Sequence, residues 1–127
     1  MLLQHSPGFL KLVADARTRV HAYSIEEFVS RLQVGERYIL LDVREESEWA
    51  KGHIPGSHHI GRGVLEREIE AAIPEKDSPI VLYCCDGLRS ALAADNLQKM
   101  GYVNVVSLDG GWRSWNEHGM PTATPEH

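Results

Sequence analysis

Two patterns of hydrophobic positions alternate along the chain and predict alternating strands and helices. Apolar residues occupy nearly every position of residues 38–43 and 79–84, which is typical of strands buried on both faces of a parallel sheet. Shorter segments over residues 20–23, 57–60 and 103–108 are candidates for three more strands. Five strands separated by helices predict an α/β fold, with a five-stranded parallel sheet flanked by helices on both faces.

Apolar residues three and four positions apart predict the intervening helices. One helix lies within the first twenty residues, and the next follows Ser24, which forms a capping-box pattern with Glu27. Gly35 is expected to end that second helix. A short helix is predicted over residues 45–51, and a later helix is expected to stop at Pro74.

The length of 127 residues suits one domain. We expect an N-terminal helical extension over residues 1–19 packed on the domain, a domain over residues 20–121, and a flexible tail over residues 122–127. No signal-peptide pattern and no long apolar run occurs, which favours a cytoplasmic protein without a membrane partner. The net charge of −5 weighs against nucleic acid as a partner, because phosphate backbones require a basic surface. We expect a monomer or a weak dimer.

The only two cysteines, Cys84 and Cys85, are adjacent. Neighbouring cysteines cannot form a disulfide framework, and they lack the spaced pairs of a zinc site. His53, His58 and His59 lie close together in sequence but show no ligand spacing. We therefore expect no metal site.

The segment that begins at Cys84 carries the candidate chemistry, because a thiol at the end of a buried strand is followed by a short turn into a helix. If the turn wraps around the sulfur, its backbone N–H groups form an anion-binding nest, to which the helix N-terminus adds positive potential. Gly87 permits such a tight turn, and Arg89 places a cation at its rim. Asp86 would oppose a sulfur anion, so we expect its side chain to face solvent.

A lone cysteine at a strand end is more often a buried core residue than a nucleophile. The continuation through Gly87 and Arg89 into a helix favours a nucleophile at Cys84. The side chain of Cys85 is expected to point away from the nest, because neighbours on an extended chain alternate sides. The loop residues predicted to form the anion-binding nest are Cys85, Asp86, Gly87, Leu88 and Arg89.

This segment resembles the active-site loop of the rhodanese family of sulfurtransferases. Three other segments resemble further family motifs, in the family's order: Leu41-Asp42-Val43-Arg44 with Gly52-His53-Ile54-Pro55-Gly56, then Arg62-Gly63-Val64-Leu65-Glu66, then Leu108-Asp109-Gly110-Gly111-Trp112. The resemblance covers residues 20–121 and identifies the chain as similar to single-domain members.

The resemblance implies a rhodanese fold and a ping-pong transfer of sulfur. The sulfur passes from a donor such as thiosulfate to a thiophilic acceptor such as cyanide or a thiol, through a persulfide on Cys84 and with no metal or organic cofactor. Asp42 matches a strand-end aspartate that is expected to brace the loop, and Arg44 is expected to pair with Glu48 or reach the loop. Arg62 offers a second cation to an anionic donor, with a solvated arginine as the alternative.

Three other functions stay open. A non-catalytic docking module usually loses its cysteine, whereas Cys84 is present; a persulfide relay to a partner protein would keep it. Cysteine phosphatases and arsenate reductases resemble His-Cys-x5-Arg, whereas here four residues separate Cys84 from Arg89 and Tyr83 precedes the cysteine. The acidic Asp86 departs from family members that prefer thiosulfate.

Overall fold

The computed structural model describes residues 5–125, and helices and strands alternate along it as the hydrophobic pattern predicts. The strands are β1 (His21–Tyr23), β2 (Ile39–Asp42), β3 (His58–His59), β4 (Ile80–Tyr83) and β5 (Val105–Leu108). The helices are α1 (Pro7–Arg17), α2 (Ile25–Gln33), α3 (Glu46–Lys51), α4 (Leu65–Ala72), α5 (Leu88–Lys99) and α6 (Gly111–Glu117). Within the described residues, no helix has the length and apolar character needed to cross a membrane.

The strands form one sheet in the order β1-β5-β4-β2-β3, and every neighbouring pair is parallel. The predicted five-stranded parallel sheet is therefore confirmed. Strand β4 lies at its centre, where Val81 pairs with Leu40 on one side and Val106 on the other. In such sheets ligands bind beyond the carboxyl ends of the strands, and Cys84 follows the carboxyl end of this central strand.

Alternate side chains of β4 enter two separate apolar cores, so the sheet is covered on both faces. Leu82 packs in the core that holds Leu65 of α4 and Leu97 of α5. Tyr83 packs in the opposite core with Phe28 of α2, and Trp115 of α6 also belongs to that core. Two-sided burial explains why β4 is apolar at every position.

The stop at Gly35 and one half of the predicted capping box are present at the ends of α2, while the Glu27 carboxylate accepts from Arg31. The Ser24 hydroxyl accepts a hydrogen bond from the Glu27 N–H at 3.1 Å, which satisfies a donor in the first turn. Gly35 follows the helix with a φ of 91°, a left-handed conformation that glycine adopts without strain. Strand β3 is shorter than predicted, because only Leu41 and Asp42 of β2 pair with it at this edge of the sheet.

The N-terminal extension packs through α1 on α5. Val13 and Ala16 are buried on the inner face of α1. Beyond the helix, Arg19 donates two hydrogen bonds to the carboxylate of Asp95 on α5, from Nε at 2.9 Å and from Nη2 at 2.8 Å. Residues 1–4 of the predicted extension lie outside the described residues.

The prediction of a flexible tail over residues 122–127 needs a correction at Ala123. Its N–H donates to the carbonyl of His53 and its carbonyl accepts from the N–H of His53, both at 2.9 Å. The two residues form an antiparallel bridge that ties the chain end to the turn after α3. Residues 126–127 lie outside the described residues.

The pairing of Arg19 with Asp95 predicts a pH-dependent contribution to stability. The hydrogen bond from Arg19 lowers the pKa of Asp95, and burial opposes this only in part. A carboxyl with a lowered pKa stabilises the fold above its unfolded value of about 3.9 and loses that contribution as the pH falls through the folded value. Asp95→Asn should therefore lower the midpoint of thermal unfolding by several degrees at pH 7, and the difference from wild type should shrink below pH 4.

The matched control is Asp15→Asn. Asp15 contacts the same guanidinium at 2.9 Å, but its side chain is 66% exposed against 8% for Asp95. An exposed pair is screened by water, so this control should change the midpoint less. An equal loss in both variants at every pH would contradict the assigned role of Asp95.

Candidate active site

The candidate site lies where β4 ends and α5 begins. Cys84 directly follows β4 and is fully buried, whereas Cys85 is partly exposed, and both are free thiols. Gly87 precedes α5 with a φ of 92°, in the left-handed region that glycine tolerates. The turn therefore reverses direction within three residues and brings the first turn of α5 back over the Cys84 sulfur.

Two backbone N–H groups point at that sulfur. The N–H of Gly87 lies 3.1 Å from Cys84 Sγ, and the N–H of Ser90 lies 3.4 Å from it. Both donors belong to the start of α5, where helix N–H groups have no partner within the helix. Hydrogen bonds to an ionised acceptor are about twice as strong as neutral ones, so this nest stabilises negative charge on the sulfur.

Two buried hydroxyls extend the nest, and neither was among the predicted site residues. Ser90 Oγ lies 3.7 Å from Cys84 Sγ and 2.8 Å from Ser107 Oγ on β5. When the sulfur is anionic, Ser90 can donate to it while accepting from Ser107. The sequence feature that could have indicated this pair is Ser107, the one polar residue in the otherwise apolar buried strand β5.

The expectation that Asp86 faces solvent is wrong. Its Oδ1 accepts a hydrogen bond from the Leu88 N–H at 3.2 Å and lies 3.8 Å from Cys84 Sγ. Its Oδ2 lies 3.4 Å from His5 Nε2, and its side chain is only 22% exposed. The reason is local, because the unpaired N–H groups of the first helical turn attract the nearest carboxylate.

Arg89 does not stand free at the rim of the loop. Its Nη1 lies 3.1 Å from Glu48 Oε1 and its Nη2 lies 3.1 Å from Glu48 Oε2, so the two side chains form a bidentate ion pair. Burial disfavours the charged carboxylate, but the hydrogen bond from Arg89 and one from the Glu45 N–H outweigh it and lower the pKa of Glu48. Glu48 is therefore ionised at neutral pH, and the charge of Arg89 is balanced.

Arg44 pairs with the strand-end aspartate Asp42 and not with Glu48, which was one of its two expected contacts. The guanidinium donates to both carboxylate oxygens of Asp42, with the shortest contact at 2.7 Å, and to the Gly52 carbonyl at 2.7 Å. Its central carbon lies 4.8 Å from the ring centroid of Trp112. The Trp112 N–H donates to the Cys84 carbonyl at 2.8 Å, so Arg44 and Asp42 support the loop through this tryptophan.

Arg62 lies in an ion pair at the start of α4. Its Nη1 contacts Glu66 Oε2 at 2.7 Å, and the same oxygen accepts from Asn96 Nδ2 at 2.6 Å. None of the hydrogen bonds or ion pairs between described residues joins Arg62 to the Cys84 loop. Arg62 was predicted to offer a second positive charge to an anionic sulfur donor. Its pairing with Glu66 does not support that role.

The N-terminus of α6 holds the loop from the other side. The Trp112 and Arg113 N–H groups donate to the carbonyls of Cys84 and Cys85 at 2.8 and 2.9 Å. This approach requires glycine at position 111, because a Cβ there would lie 2.2 Å from the Cys84 carbonyl oxygen. The loop is thus fixed by two helix N-termini, one on the sulfur and one on the carbonyls.

Two of the three neighbouring histidines belong to a different environment. The rings of His53 and His59 stack on Trp49, with centroids 3.5 and 5.2 Å away. Over residues 5–125 no group of three or more His, Cys, Asp or Glu side chains is arranged to hold a metal ion.

Comparison with known proteins gives consistent matches. A family model described as a rhodanese-like domain matches residues 24–118. A sulfurtransferase from Allochromatium vinosum is 35% identical over 107 residues, which cover 84% of this chain and 98% of that protein. The thiosulfate sulfurtransferase GlpE of Stutzerimonas stutzeri is 37% identical over 84 residues, which cover 66% of this chain and 74% of that protein.

A solved structure from Rhodopseudomonas palustris, of a protein of unknown function described as a possible tyrosine phosphatase, matches the fold with a TM-score of 0.84. It is 30% identical, and the match covers 97% of this chain and 99% of that one. The match therefore includes the N-terminal extension as well as the domain.

The close approach of α6 predicts that Gly111→Ala damages the site. The new methyl group would overlap the Cys84 carbonyl, so we expect a loss of more than about 3 kcal/mol in the free energy of unfolding, measured by urea denaturation. Gly119→Ala is the matched control, since Gly119 also has a positive φ, of 74°, but a Cβ there meets nothing within 4 Å. The control should cost about 1 kcal/mol from backbone strain alone. Equal losses would contradict the close approach.

Proposed function

The chain belongs to the rhodanese-like domain family, and we propose that it moves a sulfane sulfur from a donor such as thiosulfate to a thiophilic acceptor such as cyanide or a thiol. The sulfur travels as a persulfide on Cys84. The names of the relatives support the sulfurtransferase class. The observation that carries the proposal is the convergence of the Gly87 and Ser90 N–H groups on Cys84 Sγ, at 3.1 and 3.4 Å.

In the first half-reaction the Cys84 thiolate attacks the outer sulfur of thiosulfate. A new S–S bond forms at Cys84 Sγ, the S–S bond of thiosulfate breaks, and its electron pair leaves with sulfite. The outer sulfur keeps the negative charge that it carries in thiosulfate, and the charge of Sγ leaves with sulfite, so no net charge is created. The nest favours the reactive anion before the attack, and Ser90 keeps a donor near the new bond.

In the second half-reaction cyanide attacks the outer sulfur of the persulfide. The carbon–sulfur bond of thiocyanate forms while the S–S bond breaks, and its electron pair returns to Cys84 Sγ. The nest now stabilises the leaving thiolate with the same two N–H groups. One preorganised site thus serves both halves of a ping-pong cycle, and all the covalent chemistry is carried by Cys84.

Burial of Cys84 limits what reaches the sulfur. The residue is 0% exposed, so a donor gains access only after surrounding side chains move aside. A small donor and a small acceptor fit this restriction best. A protein acceptor is the second candidate, because the outer sulfur of a persulfide extends beyond Sγ.

The geometry does not favour a phosphatase. Phosphoryl chemistry of this type uses an arginine to hold the oxygens of the phosphate, and a guanidinium suits that role through its fork of donors. The corresponding fork of Arg89 is occupied by Glu48. A phosphate ester would have to replace this carboxylate before it is bound.

The proposed mechanism predicts opposite results for the two cysteines. With thiosulfate and cyanide as substrates, Cys84→Ser should lower the rate of thiocyanate formation by about a thousandfold or more, because the nucleophile is lost. Cys85→Ser should keep most of the rate, since only backbone atoms of Cys85 are tied into the loop. An essential Cys85 with a dispensable Cys84 would contradict the assignment.

A second assay separates the two reaction classes. Wild-type protein should hydrolyse a generic aryl phosphate more slowly than it forms thiocyanate under matched conditions. Faster phosphate release, lost in Cys84→Ser, would favour the phosphatase instead.

A further inference from the structure

The charges near the candidate nucleophile do not suit a doubly negative donor. The guanidinium of Arg89 belongs to the loop segment itself, and both of its terminal nitrogens are bound by Glu48. The pKa of Arg89 is raised first by this hydrogen-bonded carboxylate and to a smaller extent by the charges of Cys84 and Asp86. Arg89 lies in the first turn of α5, next to Ser90, whose N–H contacts the sulfur, but the charge of its guanidinium is already compensated.

Glu48 is held firmly in this position. It lies in the first turn of α3, where its Oε1 also accepts the Glu45 N–H at 2.9 Å to complete a capping box. The Glu48 side chain is 32% exposed and that of Arg89 is 30% exposed, so the pair is partly shielded from water. A donor oxyanion cannot reach the fork of Arg89 without displacing a carboxylate that has three hydrogen bonds.

Asp86 adds a second negative charge beside the reacting atom. Its Oδ1 lies 3.8 Å from Cys84 Sγ. The contact with His5 offsets this charge only when the imidazole is protonated. Of the other arginines near the loop, Arg44 is neutralised by the buried carboxylate of Asp42, and the exposed Arg113 is screened by water.

We propose that Glu48 is a specificity-determining residue that, together with Asp86, selects sulfur donors carrying at most one negative charge over the thiosulfate dianion. This inference rests on the proposed sulfur transfer and specifies the donor class. Glu48 acts by occupying Arg89, and Asp86 acts by direct repulsion. Both effects grow with the charge of the donor, because the Coulomb energy is proportional to it.

Thiosulfate and methanethiosulfonate form a matched pair of probes. Both present a terminal sulfur bound to a sulfonyl group, and a methyl group in the second replaces one oxygen anion of the first. The Cys84 thiolate attacks the terminal sulfur in each case and forms the same persulfide, while the electron pair leaves with sulfite or with methanesulfinate. The two donors therefore differ mainly in charge.

Glu48→Gln should change the preference between these donors. The amide keeps the shape of the side chain but removes its charge, which leaves the guanidinium of Arg89 uncompensated. We expect kcat/KM for thiosulfate to rise roughly fivefold to tenfold and kcat/KM for methanethiosulfonate to rise only about twofold to threefold, with cyanide as acceptor. Asp86→Asn should shift the ratio in the same direction, and added salt should reduce both effects.

Glu27→Gln is the control variant. Glu27 forms a comparable ion pair with Arg31 on α2, at 2.9 Å, and its replacement removes the same unit of charge from the protein. The ratio of the two kcat/KM values should stay at the wild-type value. A similar change in the control would show a general effect of net charge and overturn the assignment to Glu48.

The outcomes also separate this inference from the proposed function. If wild-type protein transfers sulfur from either donor but Glu48→Gln and Asp86→Asn leave the ratio unchanged, the specificity role is wrong and the sulfurtransferase remains. If neither donor forms a persulfide on Cys84 in wild type or in either variant, the proposed function itself fails.

Discussion

A sulfur anion buried away from water must find its hydrogen-bond donors within the protein, and this requirement organises the structure around Cys84. The donors are the N–H groups of Gly87 and Ser90 at the start of α5. They reach the sulfur because β4 ends at the centre of the sheet and Gly87 turns the chain back within three residues. The close approach of Gly111 then fixes the carbonyls of the same turn, so sheet, helices and glycines all converge on one atom.

Much of the fold is predictable because two-sided burial leaves a clear signature. Apolar residues at every position of β4, and at every position of β2 before Asp42, follow from the place of both strands inside a parallel sheet, and the end of α2 follows from Gly35. Lengths at the sheet edge are less predictable, as β3 shows, because pairing there depends on which neighbouring residues remain available. The Ala123 bridge to His53 depends on a partner seventy residues away in the chain, which a local pattern cannot indicate.

The candidate site also contains features that the local sequence predicts and features that depend on distant partners. Cys84 and its nest were predictable because thiol, turn and helix start are contiguous in sequence. The pairing of Arg89 with Glu48 was not, because the two lie 41 residues apart and Arg44 was an alternative partner for that carboxylate. Asp86 shows a different difficulty: a local helix start attracts the carboxylate inward, although repulsion from a sulfur anion favours the opposite orientation. Charge at this site is therefore set by tertiary pairing, and net charge gives little guidance to it.

Cys84 is proposed to carry the transferred sulfur, and a mass measurement tests this role most directly. Wild-type protein treated with a sulfane sulfur donor, freed of excess donor and kept from reductant should gain the mass of one sulfur atom. Peptide mapping in Cys85→Ser should place that atom on Cys84, and cyanide should remove it with formation of an equal amount of thiocyanate. A protein that gains no sulfur from any donor, or that gains it on Cys85 alone, would contradict the account.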